Sequence, residues 1–401
     1  MYDIQTILDY VNEEDVKFIR LAFVDVFGNQ KNISVMPHEL ERVFKYGVNI
    51  DGAAIKGFGG EIKSDLFIHP DSDTISKLPW RPSQGRVIRM FCNITNPDGT
   101  PFECDTRKLL INAIEEAKKR GLEFYFGSEI EFYLFKTDEQ GEPTNITYDK
   151  AGYMDIAPDD KGENVRREIC LTLEEMGIIP SGSHHEEGPG QNEVDFRYSN
   201  ALSAADDATT FKSVVRTIAA RNGLYASFNP KPIDDEPGNG YHINISVKSD
   251  NKEDVLDYAI EGILTHSKEM SAFFNISDDS YKRLGKMMAP KYVSWSSENR
   301  SELIRIPASN DNTRRIELRQ ADPMVNPYLA FTLLIYAAID GIDNKKKLRD
   351  AVNYNLYTAP KEIIDKLEKL PESLSEAKEI ARKSDFINKY INKMLLSSYL
   401  K

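Results

Sequence analysis

Cysteine is scarce in this chain of 401 residues, which carries only Cys92, Cys104 and Cys170. Three scattered thiols with no paired spacing form neither a disulfide framework nor a zinc site, and they read as buried free cysteines. Positive charge is short as well. The formal net charge is −13, which disfavours nucleic acid or an anionic membrane as the main partner. No apolar run approaches the ~20 residues of a membrane span, and MYDIQTILDYVNEED has neither a basic n-region nor an apolar h-region. A cytoplasmic protein is therefore expected. Internal repeats and low-complexity tracts are missing. So are GxxxxGK[ST] and GxGxxG, which leaves any nucleotide to a fold unlike those that carry them.

What is present is enough apolar residue, 40% of the chain, to bury a sizeable core, and the length favours two domains over one. Residues 4–13 read as a short helix. Val16–Val26 and Lys31–Val35 read as strands around the turn at Gly28-Asn29. Residues 50–82 are dense in Gly, Asp and Pro and predict loop with short strands. Val87–Ile94 is another strand, closed by the turn Asn96-Pro97-Asp98-Gly99. The first long helix spans Thr106–Arg120, with Leu109, Leu110, Ala113, Ile114 and Ala117 on one face. A boundary near residues 99–105 gives domains of about 1–100 and 101–401. Helices near 161–177, 203–222, 252–273 and 326–341 alternate with short strands without a regular βαβ pattern. The expected class is α+β, a sheet backed by helices.

The carboxylates fall where strand geometry makes them informative. In FYFGSEIEFYLF, Phe124, Phe126, Ile130, Phe132 and Leu134 share one face, so Glu129 and Glu131 share the other. Their Cα atoms are then ~6.5–7 Å apart, too far for both to hold one cation comfortably, which suits two neighbouring metals or one metal plus a second role. Glu193 leads the polar face of QNEVDFRY. His242, Asn244 and Ser246 share a face of YHINISV, and Arg315, Glu317 and Arg319 share one in RRIELRQAD. For any one strand, ordinary solvent-facing alternation is the simpler account. Four strands with the same habit point to a charged cavity. Pooled, they offer Glu129, Glu131, Glu193, His242 and Glu317, with Glu186 nearby in HHEEGPGQNE. Oxygen-rich sites with one imidazole select Mg²⁺ or Mn²⁺. Arginines are dense after residue 280 (Arg283, Arg300, Arg305, Arg314, Arg315, Arg319), as phosphoryl transfer and a carboxylate clamp require.

These residues lie in ordered segments that resemble type I glutamine synthetase along almost the whole chain. The segments include IDGAAIKGF, NPDGTPFECDTR, GSEIEFYLF, SHHEEGPGQNEVDFRY, GNGYHINIS, VSWSSENRSELIRIP and RRIELRQADPMVNPYLAF. The resemblance implies a small N-terminal β-grasp domain and a larger catalytic domain with a curved antiparallel sheet. It implies a homododecamer of two hexameric rings with active sites between subunits. The implied reaction uses ATP to join ammonia to the γ-carboxyl of L-glutamate through γ-glutamyl phosphate, with two or more divalent cations per site. By motif, Glu131, Glu186 and Glu193 would hold one metal, and Glu129, His242 and Glu317 the second. Arg283, Arg300 and Arg319 would bind glutamate, with Gly238 against the amino acid. Arg305 and Arg315 would face the ATP phosphates, and Ser246 would lie near the nucleotide. Asp51 would reach the adjacent subunit's site and handle ammonium.

Four departures touch the ammonium side. RLGKMMAP places Met288 where the family has a flap glutamate. HxHxS becomes His242, Asn244, Ser246. Pro237-Gly238 replaces Asn-Gly, and Ala53 and Ala54 replace serines. An apolar, adaptable methionine could line a site for an alkyl amine, which makes a γ-glutamyl–amine ligase the alternative reaction. A non-catalytic paralogue binding glutamate or nucleotide is a second alternative. His184 and His185 are expected to be local hydrogen-bonding partners, and DFINKYINKMLLSSYLK an amphipathic helix.

Overall fold

A computed structural model describes residues 3–59, 64–81, 85–308 and 314–401. After helix α1 (Ile4–Glu13), a six-stranded sheet forms from β1 (Val16–Val24), β2 (Gln30–Val35), β3 (Val48–Asp51), β4 (Asp65–Pro70), β5 (Ser76–Lys77) and β6 (Arg86–Thr95). Its order is β2-β1-β6-β4-β3, with β5 on β6, and α2 (Leu40–Tyr46) packs on β4. The central β1–β6 pair is parallel. This is the β-grasp unit that the motifs implied, and within 50–82 the described residues 50–59 and 64–81 do contain short strands among turns, residues 60–63 and 82 lying outside the description.

The second sheet has nine strands: β7 (Leu122–Thr137), β8 (Pro143–Thr147), β9 (Pro180–His185), β10 (Gln191–Asn200), β11 (Leu224–Ser227), β12 (Tyr241–Ser249), β13 (Trp295–Ser296), β14 (Ile304–Arg305) and β15 (Ile316–Leu318). The path is β13-β14-β15-β12-β7-β10-β9, with β8 and β11 also on β7. Every pair is antiparallel except β13–β14, so the sheet is mixed rather than purely antiparallel. Alternation along β7 sends Phe126, Ile130, Phe132 and Leu134 into the core, each fully buried.

Helices α3 (Thr106–Lys118), α4 (Glu163–Glu175), α5 (Ala201–Arg221) and α8 (Pro327–Asp343) back that sheet, α6 (Leu256–Phe274) packs on α8, and the short α7 (Asp278–Arg283) follows α6. The Phe126 ring stacks on Phe331 of α8 at 4.1 Å between centroids. Helices α6 and α8 cross at Gly262 and Gly341, where a Cβ on either would meet the other helix's backbone carbonyl. Close backbone approach is what the missing side chains permit. Arg107, buried at the start of α3, bridges the two units. Its guanidinium donates to Asp206 of α5 at 2.9 and 3.0 Å, to Asp71 at 2.9 Å and to Asn93 at 2.8 Å.

Beyond α8 come α9 (Lys361–Ile364), α10 (Leu374–Lys383), α11 (Asp385–Tyr390) and α12 (Lys393–Tyr399). The C-terminal segment is thus two short helices instead of one. Asn392 breaks it: its side chain caps α12 by accepting from Leu395 N, and its amide donates to the Glu103 carbonyl. Among the described residues, no helix is long and apolar enough to cross a membrane.

Candidate active site

Period two on β7 leaves Glu129 and Glu131 on the face away from the helices. Register does the rest. Glu193 of β10 sits opposite Glu131, and Asp195 opposite Glu129. On the other side of β7, His242 of β12 faces Glu129, and Asn244 of β12 in turn faces Glu317 of β15. Glu186 enters from the turn after β9, its carboxylate 2.8 Å from His184 Nε2.

Donor atoms of Glu129, His242 and Glu317 all lie within 4.8 Å of one another, as do those of Glu131, Glu193 and His242, and those of His184, Glu186 and Glu193. His242 stands between the groups. Its Nδ1 is 3.4 Å from Glu129 and 3.9 Å from Glu317, and its Nε2 is 3.9 Å from Glu131.

Burial pushes the Glu193 carboxyl well up, and Asp195, Glu131, Glu186 and Glu129 add like-charge repulsion. Burial raises Glu131 too, against the pull of His242. Glu129 and Glu317 go the other way. Burial opposes their ionisation, but His242 and Asn244 outweigh it at Glu129, and Arg319 and His242 at Glu317. Several buried carboxylates aimed at shared space need a cation, and oxygens with one imidazole suit a hard divalent ion. The donor set fits.

Adding Mg²⁺ or Mn²⁺ at ~100 times its dissociation constant is expected to stabilise the fold by about 2.7 kcal/mol and raise the thermal midpoint by about 3 °C. Because Glu131 and Glu193 hold protons more tightly than ordinary carboxylates, ion binding should release protons. Affinity should then fall on the order of tenfold from pH 7.5 to 5.5. Calorimetry in two buffers of different ionisation enthalpy measures that release, and zero release would contradict the site.

The cavity above these groups holds about 550 Å³ and is lined by Arg283, Arg300, Arg305 and Arg319, Gly238, and the Met287–Ala289 segment. Glu317, fully buried, lies beneath it and accepts from both Arg305, at 2.6 Å from Nε, and Arg319. Ten of the residues expected from sequence therefore share one cavity, with Glu317 at its floor. Three do not. Asp51 is exposed at the end of β3, accepting from Ala53 N at 2.9 Å. Ser246 lies farther along β12, opposite Tyr125. Arg315 points its Nε at Asn244, 3.1 Å away, outside the lining.

Sequence reasoning missed Asp195, Gln191 and Tyr153, which also line the cavity. Asp195 was findable, since it lies two residues after Glu193 on the same face of the strand. Gln191, which donates to Glu131 at 3.0 Å, gave no such signal. The two histidines behave as expected: His184 bonds Glu186, and His185 bridges Asp149 Oδ1 at 2.9 Å and the Glu186 carbonyl at 2.7 Å.

Converging carboxylates roofed by arginines are the equipment of an enzyme that handles phosphate and carboxylate groups together. Comparison with known proteins makes the class specific. Residues 15–97 match the glutamine synthetase beta-Grasp domain and residues 103–401 the glutamine synthetase catalytic domain. A glutamine synthetase of Clostridium saccharobutylicum is 42% identical over 414 residues, covering 100% of this chain and 94% of that protein. One from Methanosarcina mazei is 42% identical over 411 residues, covering 99% and 92%. A solved complex of GmaS with ADP shares the fold at TM-score 0.89 and 24% identity, covering 100% of this chain and 94% of the other. The chain belongs to the glutamine synthetase family and is a ligase. Members of that family use ATP and divalent metal ions with glutamate and ammonia as substrates.

Proposed function

We propose that this protein makes glutamine, joining ammonia to the γ-carboxyl of L-glutamate at the expense of ATP. The observation that carries the reading is the single cavity in which Glu129, Glu131, Glu186, Glu193 and His242 converge beneath Arg283, Arg300, Arg305 and Arg319. Glutamate would seat its carboxylates on Arg283, Arg300 and Arg319, with Gly238 beside the amino acid. Arg305 and Arg315 would face the phosphates, and Ser246 the nucleotide. A γ-carboxylate oxygen attacks the γ-phosphorus of ATP, and the bond to ADP breaks. Ammonia nitrogen then adds to the γ-carbonyl carbon of γ-glutamyl phosphate, phosphate leaves with the C–O bond pair, and a proton is lost. Mg²⁺ or Mn²⁺ held by Glu131, Glu186 and Glu193, and by Glu129, His242 and Glu317, would supply charge neutralisation at the phosphates.

An acyl phosphate is lost to water unless the site closes. Met287 and Met288, both with positive φ, edge the cavity from a segment between α7 and β13 that could serve as such a lid. Asp51 lies outside its own chain's cavity, which supports a role in a neighbour's. We therefore include a homododecamer of two hexameric rings in the cytoplasm. The deciding assay is phosphate release from ATP with glutamate and, in turn, ammonium, methylamine, ethanolamine and putrescine. Ammonium is expected to be preferred, and preference for an organic amine would overturn the reading. A carboxylate at the lid should help to capture ammonium. Met288→Glu is thus expected to lower the KM for ammonium severalfold, and an unchanged or raised KM would remove Met288 from the amine side.

A further inference from the structure

Arg300 sits at the tip of a loop whose two ends are the parallel strands β13 and β14, paired as Trp295 with Ile304 and Ser296 with Arg305. Among the described residues no ion pair holds the Arg300 guanidinium, so its aim depends on the loop backbone. Inside that loop lies a carboxyl with no access to solvent, Glu302. It accepts from the Ser294 hydroxyl, while the Ser301 hydroxyl, 3.4 Å from the carboxylate, gives its proton to Asn299 Oδ1 at 2.6 Å. Ser301 Oγ also accepts from Leu356 N at 2.9 Å, and Asn299 donates to the Tyr354 carbonyl at 2.9 Å. Those bonds fasten the loop to the 353–357 segment, whose Tyr357 hydroxyl holds the Ala289 carbonyl at the cavity edge.

We propose that Glu302 is a positioning residue for the substrate-facing arginines: its buried carboxyl, gripped by Ser294, sets the loop that carries Arg300 and leads into Arg305 on β14. The inference rests on the glutamate-binding reading given above.

Charge state matters to the grip. Ser294 Oγ lies within reach of both the Tyr292 carbonyl, at 3.3 Å, and Glu302, yet a hydroxyl has one proton to give. A neutral Glu302 donates its own proton to Ser294 Oγ and leaves Ser294 free to bond Tyr292, so both bonds coexist. An ionised Glu302 takes the Ser294 proton and orphans the Tyr292 carbonyl. Burial raises this carboxyl to about 7, against hydrogen bonds from Ser294, Asn299 and Ser301. No lysine, arginine or histidine among the described residues is paired with it. The titratable group facing it is Tyr357, and the nearby Arg319 spends its Nε on the Arg300 carbonyl and a terminal nitrogen on Glu317. The clasp is therefore complete at acid to neutral pH and loosens as the carboxyl ionises.

The test is calorimetric glutamate binding to the full chain, with Mg²⁺ and ADP present, at pH 6, 7 and 8, alongside the KM and kcat for glutamate. Glu302→Gln keeps a donor and an acceptor and cannot ionise. It should hold the affinity seen at pH 6 through pH 8, while the wild type weakens relative to it by severalfold over that range. Glu302→Ala and Ser294→Ala should both weaken glutamate binding roughly tenfold, with kcat less affected. The inference is overturned if Glu302→Gln tracks the wild type at every pH, or if both alanine variants bind glutamate normally. A wild type that binds glutamate but forms no glutamine would overturn the proposed reaction alone and leave this comparison readable. A wild type that does not bind glutamate would overturn both.

Discussion

Replacing Glu317 by Gln is expected to lower glutamine formation on the order of a thousandfold while the protein stays folded, a loss of about 4 kcal/mol at the transition state. The argument starts from position. Glu317 is fully buried, and its two oxygens are shared among Arg305, Arg319 and the group formed with Glu129 and His242. Glutamine keeps the volume and one acceptor oxygen but removes the charge. Two guanidiniums then face a neutral amide, one cation ligand is lost, and both changes fall where negative phosphoryl oxygens must be met. Alanine would be a poorer probe, because it leaves both arginines unpaired in a cavity and confounds catalysis with stability. Turnover measured with Mn²⁺ binding, and the thermal midpoint of the same variant, separates the two. Activity within tenfold of wild type would place the chemistry elsewhere.

What the amino-acid order reveals of this site is decided by which distances are local. The alternation around Phe126, Ile130 and Phe132 was enough to put Glu129 and Glu131 on one face, because a strand's period is local. The same holds for His242 and Asn244, and for Glu317 beside Arg319. What no single strand reveals is register. That Glu193 sits across from Glu131, and His242 across from Glu129, depends on pairings spanning roughly 60 and 110 residues of chain. Here the ordered motifs supplied what local geometry could not. The fold was legible to a similar depth. Residues 4–13, 106–120 and 326–341 are helices close to the expected limits, since apolar spacing and capping asparagine or aspartate mark them. Asp105 and Asn326 both accept from first-turn N–H groups. The C-terminal segment misled because its apolar spacing runs through Asn392, while the break comes from a tertiary bond to Glu103. Asp51 had motif support only, Ser246 and Arg315 shared strand faces with His242 and with Glu317, and the isolated chain draws none of the three into the cavity.

A second large effect is expected at a residue with no side chain. Gly240→Ala should reduce glutamine formation at least a hundredfold, although alanine is the mildest replacement available. Gly240 precedes β12 by one residue, and its N–H donates to Glu131 Oε2 at 2.7 Å. A Cβ built there would meet His242 Nε2 at 2.8 Å, a terminal nitrogen of Arg283 at 3.0 Å and Glu131 Oε1 at 3.2 Å. Three of the groups proposed to hold a cation or the substrate thus close on the space that glycine leaves. Backbone freedom is not the issue, because Gly240 is not among the glycines with positive φ; the constraint is room. Relief requires His242 or Glu131 to swing aside, and displacing a reacting group by even ~1 Å can cost about a hundredfold. Gly99→Ala is the matched control. It lies in an exposed turn with nothing within 4 Å of the added carbon, so any strain from its positive φ is felt in stability and not at the cavity. Divalent-ion titration of both variants is decisive: the Gly240 substitution should weaken ion binding and turnover together, and the Gly99 substitution neither. Normal ion affinity in Gly240→Ala would show that the crowded corner is not where the cation is held.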